Sequence, residues 1–220
     1  MTVIGAENDL RRGLLALELK LNDQQITQLL DYLELIAKWT KVYNLTAVRD
    51  PAEMMTHHLL DSLAAIVPLQ RHLSQAGLGQ GSQLLDVGSG AGLPGVVIAI
   101  CCPEVMVTCV DTVAKKAAFI KQAALALKLP NLTGQHARVE SINKPFDVIC
   151  SRAFASLNDF TQWSAAALAP HGAWMAMKGK HPADELLALP PTTEVFHVEQ
   201  LKVPGLDAER CIYWLRPKSN

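Results

Sequence analysis

The chain has 220 residues, half of them apolar, and a formal net charge of −1. A chain of this length buries roughly 70 % of its unfolded surface around one core, so we expect a single domain with an extension and no second catalytic domain. The longest apolar run, residues 96–102, is far below the roughly 20 residues of a membrane-spanning helix, and the near-neutral charge does not by itself indicate a nucleic-acid partner.

The first zone, residues 1–76, is predicted to be a helical extension. From Asn22 onward apolar residues recur at intervals of three and four, and Asn22 with Gln25 forms a capping-box pattern. A break follows around residue 44. The pair Asp50-Pro51 then predicts a new helix, because Asp accepts the free amide hydrogen bonds of a first turn and proline fits that turn.

Three polar residues of this zone are candidates for the site. His58 and Asp61 lie three residues apart, on one helix face, where they could bond each other or contact a substrate. Asn44, in the break between the helices, could close a turn through its own side chain or bind substrate. The basic residues of the zone form a plausible RNA-facing set, although each alone is more often a charged helix surface: Arg11, Arg12, Lys20, Lys38, Lys41 and Arg49.

A glycine-rich run at residues 86–95 is the most informative local feature. It follows the apolar pair Leu84-Leu85 and precedes an apolar helical pattern. Glycines at alternate positions, Gly88, Gly90 and Gly92, let the backbone turn sharply out of a strand and approach a ligand closely, because no β-carbon stands in the way. The run therefore predicts a nucleotide-cofactor loop.

The second zone, residues 77–220, alternates short apolar runs with helical patterns. The strands are predicted at residues 83–87, 105–110, 132–136, 146–150, 173–177, 194–202 and 210–215, and the helices at residues 93–101, 114–127, 156–168 and 183–189. This alternation indicates a mostly parallel sheet covered on both faces. Because only a short turn separates the last two strands, they form a hairpin, and one terminal strand should run antiparallel.

The glycines alone leave the cofactor open. Gly90, Gly92 and Gly95 match the dinucleotide pattern, and Asp111 lies about 20 residues on, where an acid holds ribose hydroxyls. S-adenosylmethionine is favoured by the tighter alternate spacing of the glycines, by the terminal hairpin, and by Asp86, which could face the amino group of a methionine moiety. A nicotinamide- or flavin-dependent oxidoreductase remains the enzymatic alternative, and a non-catalytic ribosomal RNA-binding or assembly factor the other.

The chain resembles the bacterial 16S ribosomal RNA guanine-N7 methyltransferase G family, also called RsmG or GidB, from about residue 10 to residue 216. The stretches that carry the resemblance are Lys38-Trp39 and residues 43–46, 58–62, 85–95, 151–157 and 178–180. The resemblance implies a class I, Rossmann-like fold with a seven-stranded sheet. It also implies methylation of N7 of guanine 527, in the 530 loop of the small-subunit RNA, with S-adenosylmethionine as methyl donor and S-adenosylhomocysteine as product.

Family positions for the cofactor match five residues of this chain, Gly88, Leu93, Val139, Glu140 and Arg152. To these we add Asp86, Gly90 and Asp111, the last as the ribose ligand. Because N7 of guanine has a lone pair and no proton at neutral pH, no general base is expected. Positioning is instead expected from Arg152, Asn44, His58 and Lys178, with Lys180 nearby.

The five cysteines have no metal-ligand spacing, and we expect reduced core thiols and no metal. Cys150 does not follow a proline, as the nucleophile of a cytosine-C5 methyltransferase would, and is read as a core residue. The expected partner is 16S ribosomal RNA or the small ribosomal subunit. We further expect a cytoplasmic monomer without a membrane partner.

Overall fold

The computed structural model describes residues 3–179 and 182–218, which are organised around one seven-stranded sheet. The strands are β1 (Gln83–Val87), β2 (Met106–Asp111), β3 (Leu132–His136), β4 (Phe146–Arg152), β5 (Leu168–Lys178), β6 (Thr193–Leu201) and β7 (Arg210–Pro217). Their order across the sheet is β3-β2-β1-β4-β5-β7-β6. Strands β1 to β5 pair in parallel, and β7 runs antiparallel to β5 and β6. The predicted antiparallel final strand is confirmed.

The predicted strands are all present, and β1 and β3 have the predicted bounds. The largest difference is in β5, which begins at Leu168 and not at Ala173. Leu168 pairs with Phe146, but the next pair in the register is Ala173 with Val148, so the strand is irregular between them. Pro170 and Gly172 lie in this irregular part and account for its turn-like sequence.

Helices cover both faces of the sheet. They are α1 (Val3–Ala16), α2 (Asp23–Tyr43), α3 (Pro51–Met54), α4 (Asp61–Leu63), α5 (Ile66–Gln75), α6 (Gly95–Cys101), α7 (Ala114–Ala126), α8 (Leu157–Ser164) and α9 (Ala183–Leu187). On one face, α1, α2, α6 and α7 share an apolar cluster with alternate strand residues such as Leu84. On the other face, α8 packs with the intervening residues such as Leu85. Both faces are therefore buried, as the continuous apolar strands require.

The predicted helix starts in the extension are confirmed. Asn22 and Gln25 form the capping box of α2, and the Asp50 carboxylate accepts hydrogen bonds from the backbone of Ala52 and Glu53. The helix after Asp50 is not regular, however, because α3 and α4 are joined by a π-helical segment, Met55–Leu60. Such segments occur frequently at functional sites, and this one contains His58.

The extension is fastened directly to the glycine loop. The Tyr32 hydroxyl of α2 donates a buried 2.5 Å hydrogen bond to the Ala91 carbonyl. Farther along, Gln25 donates to the Ile100 carbonyl at the end of α6. Helix α2 therefore supports the loop from the core side. Within the described residues, no helix is long and apolar enough to cross a membrane.

Candidate active site

The glycine-rich run forms a tight loop between β1 and α6. Gly88, Gly90 and Gly92 have φ angles of +65°, +59° and +85°, in the left-handed region that side chains with a β-carbon rarely adopt. The Gly88 amide donates to the Val110 carbonyl at 2.9 Å, which holds the loop against β2. The three glycines are thus required by the backbone path itself.

Asp86 lies beneath the loop and does not face a ligand cavity. Its side chain is fully buried, and Oδ2 accepts a 2.9 Å hydrogen bond from the Gly95 amide at the start of α6. Burial raises the pKa of this carboxyl to about 7, against the opposing effects of the Gly95 hydrogen bond and the Arg152 charge. The structure therefore gives Asp86 a role in holding the loop to α6, in place of the predicted contact with the methionine amino group.

A cavity of about 530 Å³ opens on one side of Gly88. Asp111 lies at its edge, at the end of β2, and accepts hydrogen bonds from the Gly90 amide at 2.9 Å and the Val113 amide at 2.8 Å. The remaining wall includes Val139 and Glu140, from a single 3₁₀ turn after β3, and the aromatic rings of Phe154 and Trp163. Val139 and the two rings give the cavity an apolar wall, and Asp111 lies at its edge. This arrangement fits a nucleoside, with the base against the apolar wall and the ribose near Asp111.

A second cavity, of about 490 Å³, lies on the other side of Gly88. It collects residues from the ends of β1, β4 and β5, from the start of β7 and from the extension. Gly88 and Ala153 line both cavities. Ala153 has a φ of +56°, an unusual angle for a residue with a β-carbon, and strained backbone of this kind is concentrated at functional sites. The predicted residues Gly90, Leu93, Arg152, Lys178 and His58 are all in its lining.

Two arginines share one buried carboxylate at this second cavity. Asp61, whose side chain is 4 % exposed, accepts from Arg152 Nη1 at 2.6 Å and from Arg210 Nε at 2.9 Å. Arg152 Nη1 also donates to the His57 carbonyl at 2.8 Å. One carboxylate between two guanidinium groups leaves a net positive charge at the cavity wall, which suits an anionic group such as a phosphate.

The predicted contact between the side chains of His58 and Asp61 is not what the structure shows. His58 Nε2 lies 2.9 Å from Thr46 Oγ1, whereas Asp61 is paired with the arginines. Burial, followed by the charge of Arg152, lowers the pKa of His58 to about 4. His58 is therefore neutral at pH 7, and in the described structure its Nδ1 has no hydrogen-bond partner.

Lys178 is tied into the structure around the cavity. Its Nζ donates to the Ala155 carbonyl at 2.9 Å and to Glu185 Oε2 at 2.7 Å. The same Glu185 oxygen accepts from the Leu157 amide at the start of α8. Lys178 thus fixes the loop after β4 to α9. Lys180 lies outside the described residues.

Asn44 does not line either cavity, because it ends α2 in the left-handed conformation, with a φ of 50° and a ψ of 49°. Its amide donates to the Thr40 carbonyl and its side-chain oxygen accepts from Arg49 at 2.7 Å. The turn is thus closed by the Asn44 backbone, whereas its side chain, predicted to close the turn or to bind substrate, holds Arg49. Leu45 and Thr46, which follow it, reach the second cavity.

All five cysteines are buried and unpaired, as expected for core thiols: Cys101, Cys102, Cys109, Cys150 and Cys211. Burial raises the pKa of the Cys150 thiol well above its ordinary value, so it remains protonated.

The basic residues of the extension are divided between two ends. Arg11 and Arg12 form salt bridges with acids near the start of α2 or on α1, whereas Arg49 lies near the second cavity, beside Asn44.

Sequence reasoning did not find two residues of the site, Arg210 and Tyr32. Nothing near Arg210 in the sequence marks it. Because β7 is antiparallel, its first residue reaches the sheet edge where β1, β4 and β5 end, so the predicted hairpin was the only available signal. Tyr32 lies within the apolar stripe of α2, and only its hydroxyl distinguishes it from the core residues around it.

A mostly parallel sheet with an antiparallel β7, a glycine loop after β1 and an acid after β2 define a Rossmann-like fold of the class I methyltransferase type. The structure is similar to that of TrmN from Thermus thermophilus, with a TM-score of 0.56, 20 % sequence identity, 74 % of this chain covered and 53 % of that chain. A methyltransferase from Aquifex aeolicus described as SAM dependent has a TM-score of 0.54 at 17 % identity, with 76 % of this chain and 98 % of that chain covered.

The family model described as rRNA small subunit methyltransferase G matches residues 25–213, and the chain belongs to this family, GidB. A relative from Polaromonas sp. (strain JS666), named ribosomal RNA small subunit methyltransferase G, is 79 % identical over 98 % of this chain and 95 % of its own length. The relative of the same name from Polaromonas naphthalenivorans is 80 % identical over 96 % of this chain and 95 % of its own length. The sequence resemblance is confirmed.

Proposed function

We propose that this chain transfers a methyl group from S-adenosylmethionine to N7 of guanine 527 in the 530 loop of 16S ribosomal RNA. The observation that carries the proposal is the position of Gly88 between two cavities, one with a carboxylate at its edge and one with two arginines. Membership of the methyltransferase G family supports the choice of chemistry and substrate. It also speaks against the dinucleotide oxidoreductase alternative.

The cavity of about 530 Å³ would hold the adenosine part of the cofactor. Each Asp111 oxygen accepts one backbone hydrogen bond and has lone-pair capacity left for a ribose hydroxyl. Val139 and Glu140 would wall the adenine, and Gly88, Gly90 and Leu93 would meet the methionine part. When bound, the cofactor supplies an electrophilic methyl group on a sulfonium sulfur.

The chain's own task is to hold guanine in place, because N7 needs no deprotonation before it attacks. Alignment of reacting groups lowers a barrier by about 7–11 kcal/mol in the best cases. Arg152 and Arg210, held by Asp61, would position a phosphate or the base edge. His58 is neutral and would serve as a hydrogen-bonding group, not as a base. Lys178 would act by fixing the loop after β4.

The test is methyl transfer from radiolabelled S-adenosylmethionine to three substrates that lack the modification: naked 16S RNA, an assembly intermediate and the mature small subunit. We expect one labelled site, which borohydride and aniline cleavage would map to guanine 527. RNA in which this guanine is replaced by adenine is the matched control. Labelling at another position, or equal labelling of the control RNA, would contradict the proposal.

Two further outcomes identify the alternatives. Binding of ribosomal RNA without any turnover would indicate an assembly factor that has kept the fold. A thermal shift with nicotinamide or flavin cofactors and none with S-adenosylhomocysteine would indicate an oxidoreductase. We further propose that the chain acts as a cytoplasmic monomer and that direct transfer to N7 needs no metal ion.

A further inference from the structure

An exposed tyrosine at the end of α2 is braced by aromatic rings and covered by a lysine. Tyr43 is 47 % exposed, and its ring centroid lies 5.0 Å from that of Trp39. Trp39 in turn contacts Phe119 of α7 edge-on at 5.3 Å. Lys115, at the start of α7, places Nζ 5.4 Å from the centroid of the Tyr43 ring. The Tyr43 ring is therefore held in position although much of it faces solvent.

The two segments that contain Tyr43 and Lys115 are basic although the chain as a whole is not. Residues 35–49 carry three basic residues, residues 112–128 carry four, and neither segment contains Asp or Glu. The whole chain, by contrast, has 20 Lys and Arg against 21 Asp and Glu. Of the flanking acids, Asp50 caps α3, and Asp111 binds the loop amides and lies 3.8 Å from Lys116 Nζ. Glu34 lines a separate cavity together with Lys38, so Lys41, Arg49 and Lys115 carry the charge argument. The basic residues of the two segments are Lys38, Lys41, Arg49, Lys115, Lys116, Lys121 and Lys128.

Each of the two segments reaches one of the cavities. Thr46 lines the second cavity and is three residues from Tyr43, which limits their Cα separation to roughly 11 Å. Lys116 lines the first cavity and is adjacent to Lys115. The Tyr43 ring is therefore within reach of a strand of RNA whose target base enters the second cavity.

We propose that Tyr43, Asn44, Arg49 and Lys115, here called the Tyr43 patch, form a docking site for a single-stranded nucleotide that flanks the target guanine. The inference rests on the proposed function and names a contact of the same site outside its cavities. A base of any identity can stack on the ring once the Lys115 side chain moves off its face, and Arg49 and the displaced Lys115 provide charge for the adjoining phosphates. The Trp39 brace lowers the entropy lost when a base stacks on Tyr43.

The experiment compares Tyr43→Ala, Tyr43→Phe and Lys115→Gln with the unaltered chain. Phe196→Ala is the matched control, because Phe196 is also an exposed ring, 37 % exposed, with Arg216 at 5.0 Å, but lies on β6 at the opposite end of the sheet from β3. The probes are a 16S RNA fragment that contains the 530 loop, small subunits lacking the methyl group, and S-adenosylhomocysteine. Binding constants, KM for RNA, kcat and melting temperatures are measured.

We expect Tyr43→Ala to weaken binding of the RNA fragment about tenfold and to raise KM for RNA by a similar factor, with kcat little changed. Tyr43→Phe keeps the ring and should stay within about twofold, while Lys115→Gln should lose about threefold. Phe196→Ala should match the unaltered chain. Affinity for S-adenosylhomocysteine should be the same in all variants.

Three outcomes would overturn the inference. In the first, Tyr43→Ala and Lys115→Gln bind the RNA fragment as tightly as Phe196→Ala does. In the second, affinity for S-adenosylhomocysteine falls in parallel with RNA affinity. In the third, only binding to whole subunits is weakened, which would assign the patch to a ribosomal protein. If Tyr43→Ala lowers the melting temperature, RNA binding by Lys115→Gln becomes the test of the patch, because Lys115 is exposed and its substitution should leave the fold intact. RNA binding through Tyr43 without methyl transfer by the unaltered chain would refute the proposed function and leave the patch standing.

Discussion

The ring of Phe154 lies directly over the α-carbon of Gly88, at the point where the two cavities meet. A β-carbon on Gly88 would overlap with that ring. Phe154 is itself placed by Ala153, whose left-handed backbone follows the end of β4, and by edge contact with Trp163 at 5.8 Å. The passage between the cavities is therefore set jointly by the loop after β1 and the loop after β4.

Substitution of Gly88 by alanine should abolish most of the affinity for the cofactor. The added methyl group displaces Phe154 and strains a backbone with a φ of +65°. We expect S-adenosylhomocysteine, measured by calorimetry, to bind at least about tenfold more weakly. Gly81→Ala is the control, since Gly81 has a φ of +85° with nothing within 4 Å of an added β-carbon. Equal affinities for both variants would show that the cofactor does not approach Gly88.

Substitution of Asp61 by asparagine should destabilise the fold and impair RNA methylation. It leaves Arg152 and Arg210 facing each other without their shared carboxylate. Loss of one partner of a buried pair costs about 3–5 kcal/mol, and partial exposure of the arginines reduces our expectation to about 2–3 kcal/mol of unfolding free energy. Urea unfolding measures this loss of unfolding free energy. Asp9→Asn breaks the exposed salt bridge to Arg12 and should change stability little; a similar loss in both variants would contradict the assignment.

More of the fold than of the site could be predicted, because the sequence signals for strands, helices and the glycine loop are local. The apolar run before Gly88 and the glycines themselves specify β1 and its loop without reference to the rest of the chain. Arg210 joins the site only through the reversal of β7, and the π-helical segment around His58 has no marker in its sequence. For Asp86, the residue type indicated a ligand contact. Because both faces of the sheet are covered, a side chain that points to either face of β1 enters the core, and Asp86 is buried for this reason.

His58 should make the stability of the protein fall in mild acid. Its folded-state pKa of about 4 is below the ordinary value of 6.5, so protons bind the unfolded chain preferentially in this interval. The contribution of His58 to the free energy of unfolding is fully present above pH 6.5 and is lost as the pH falls toward 4. Between pH 7 and pH 5 the difference in unfolding free energy between the unaltered chain and His58→Gln should shrink by about 2 kcal/mol. His197→Gln, at a more exposed histidine, is the control and should follow the unaltered chain.

Asp86 should produce the opposite dependence on pH. Its folded-state pKa of about 7 is above the ordinary value of 3.8, so the contribution is fully present below pH 3.8 and is lost as the pH rises through 7. Asp86→Asn keeps an oxygen for the Gly95 amide and removes the titration. From pH 4 to pH 7, the stability of the unaltered chain relative to this variant should fall by about 3 kcal/mol, measured by urea unfolding.

The titrations of His58 and Asp86 oppose each other between about pH 4 and pH 6.5, so their two contributions should largely cancel there in the unaltered chain. Each single variant should uncover the other group: Asp86→Asn should become more stable as the pH rises, and His58→Gln less stable. Asp147→Asn is the control for loss of a carboxylate, since Asp147 accepts from the Gln83 amide on the neighbouring strand. If the stability profiles of Asp86→Asn and the unaltered chain against pH ran parallel, the carboxyl of Asp86 would not titrate in this range. The assignment of opposing pKa shifts to Asp86 and His58 would then have to be abandoned.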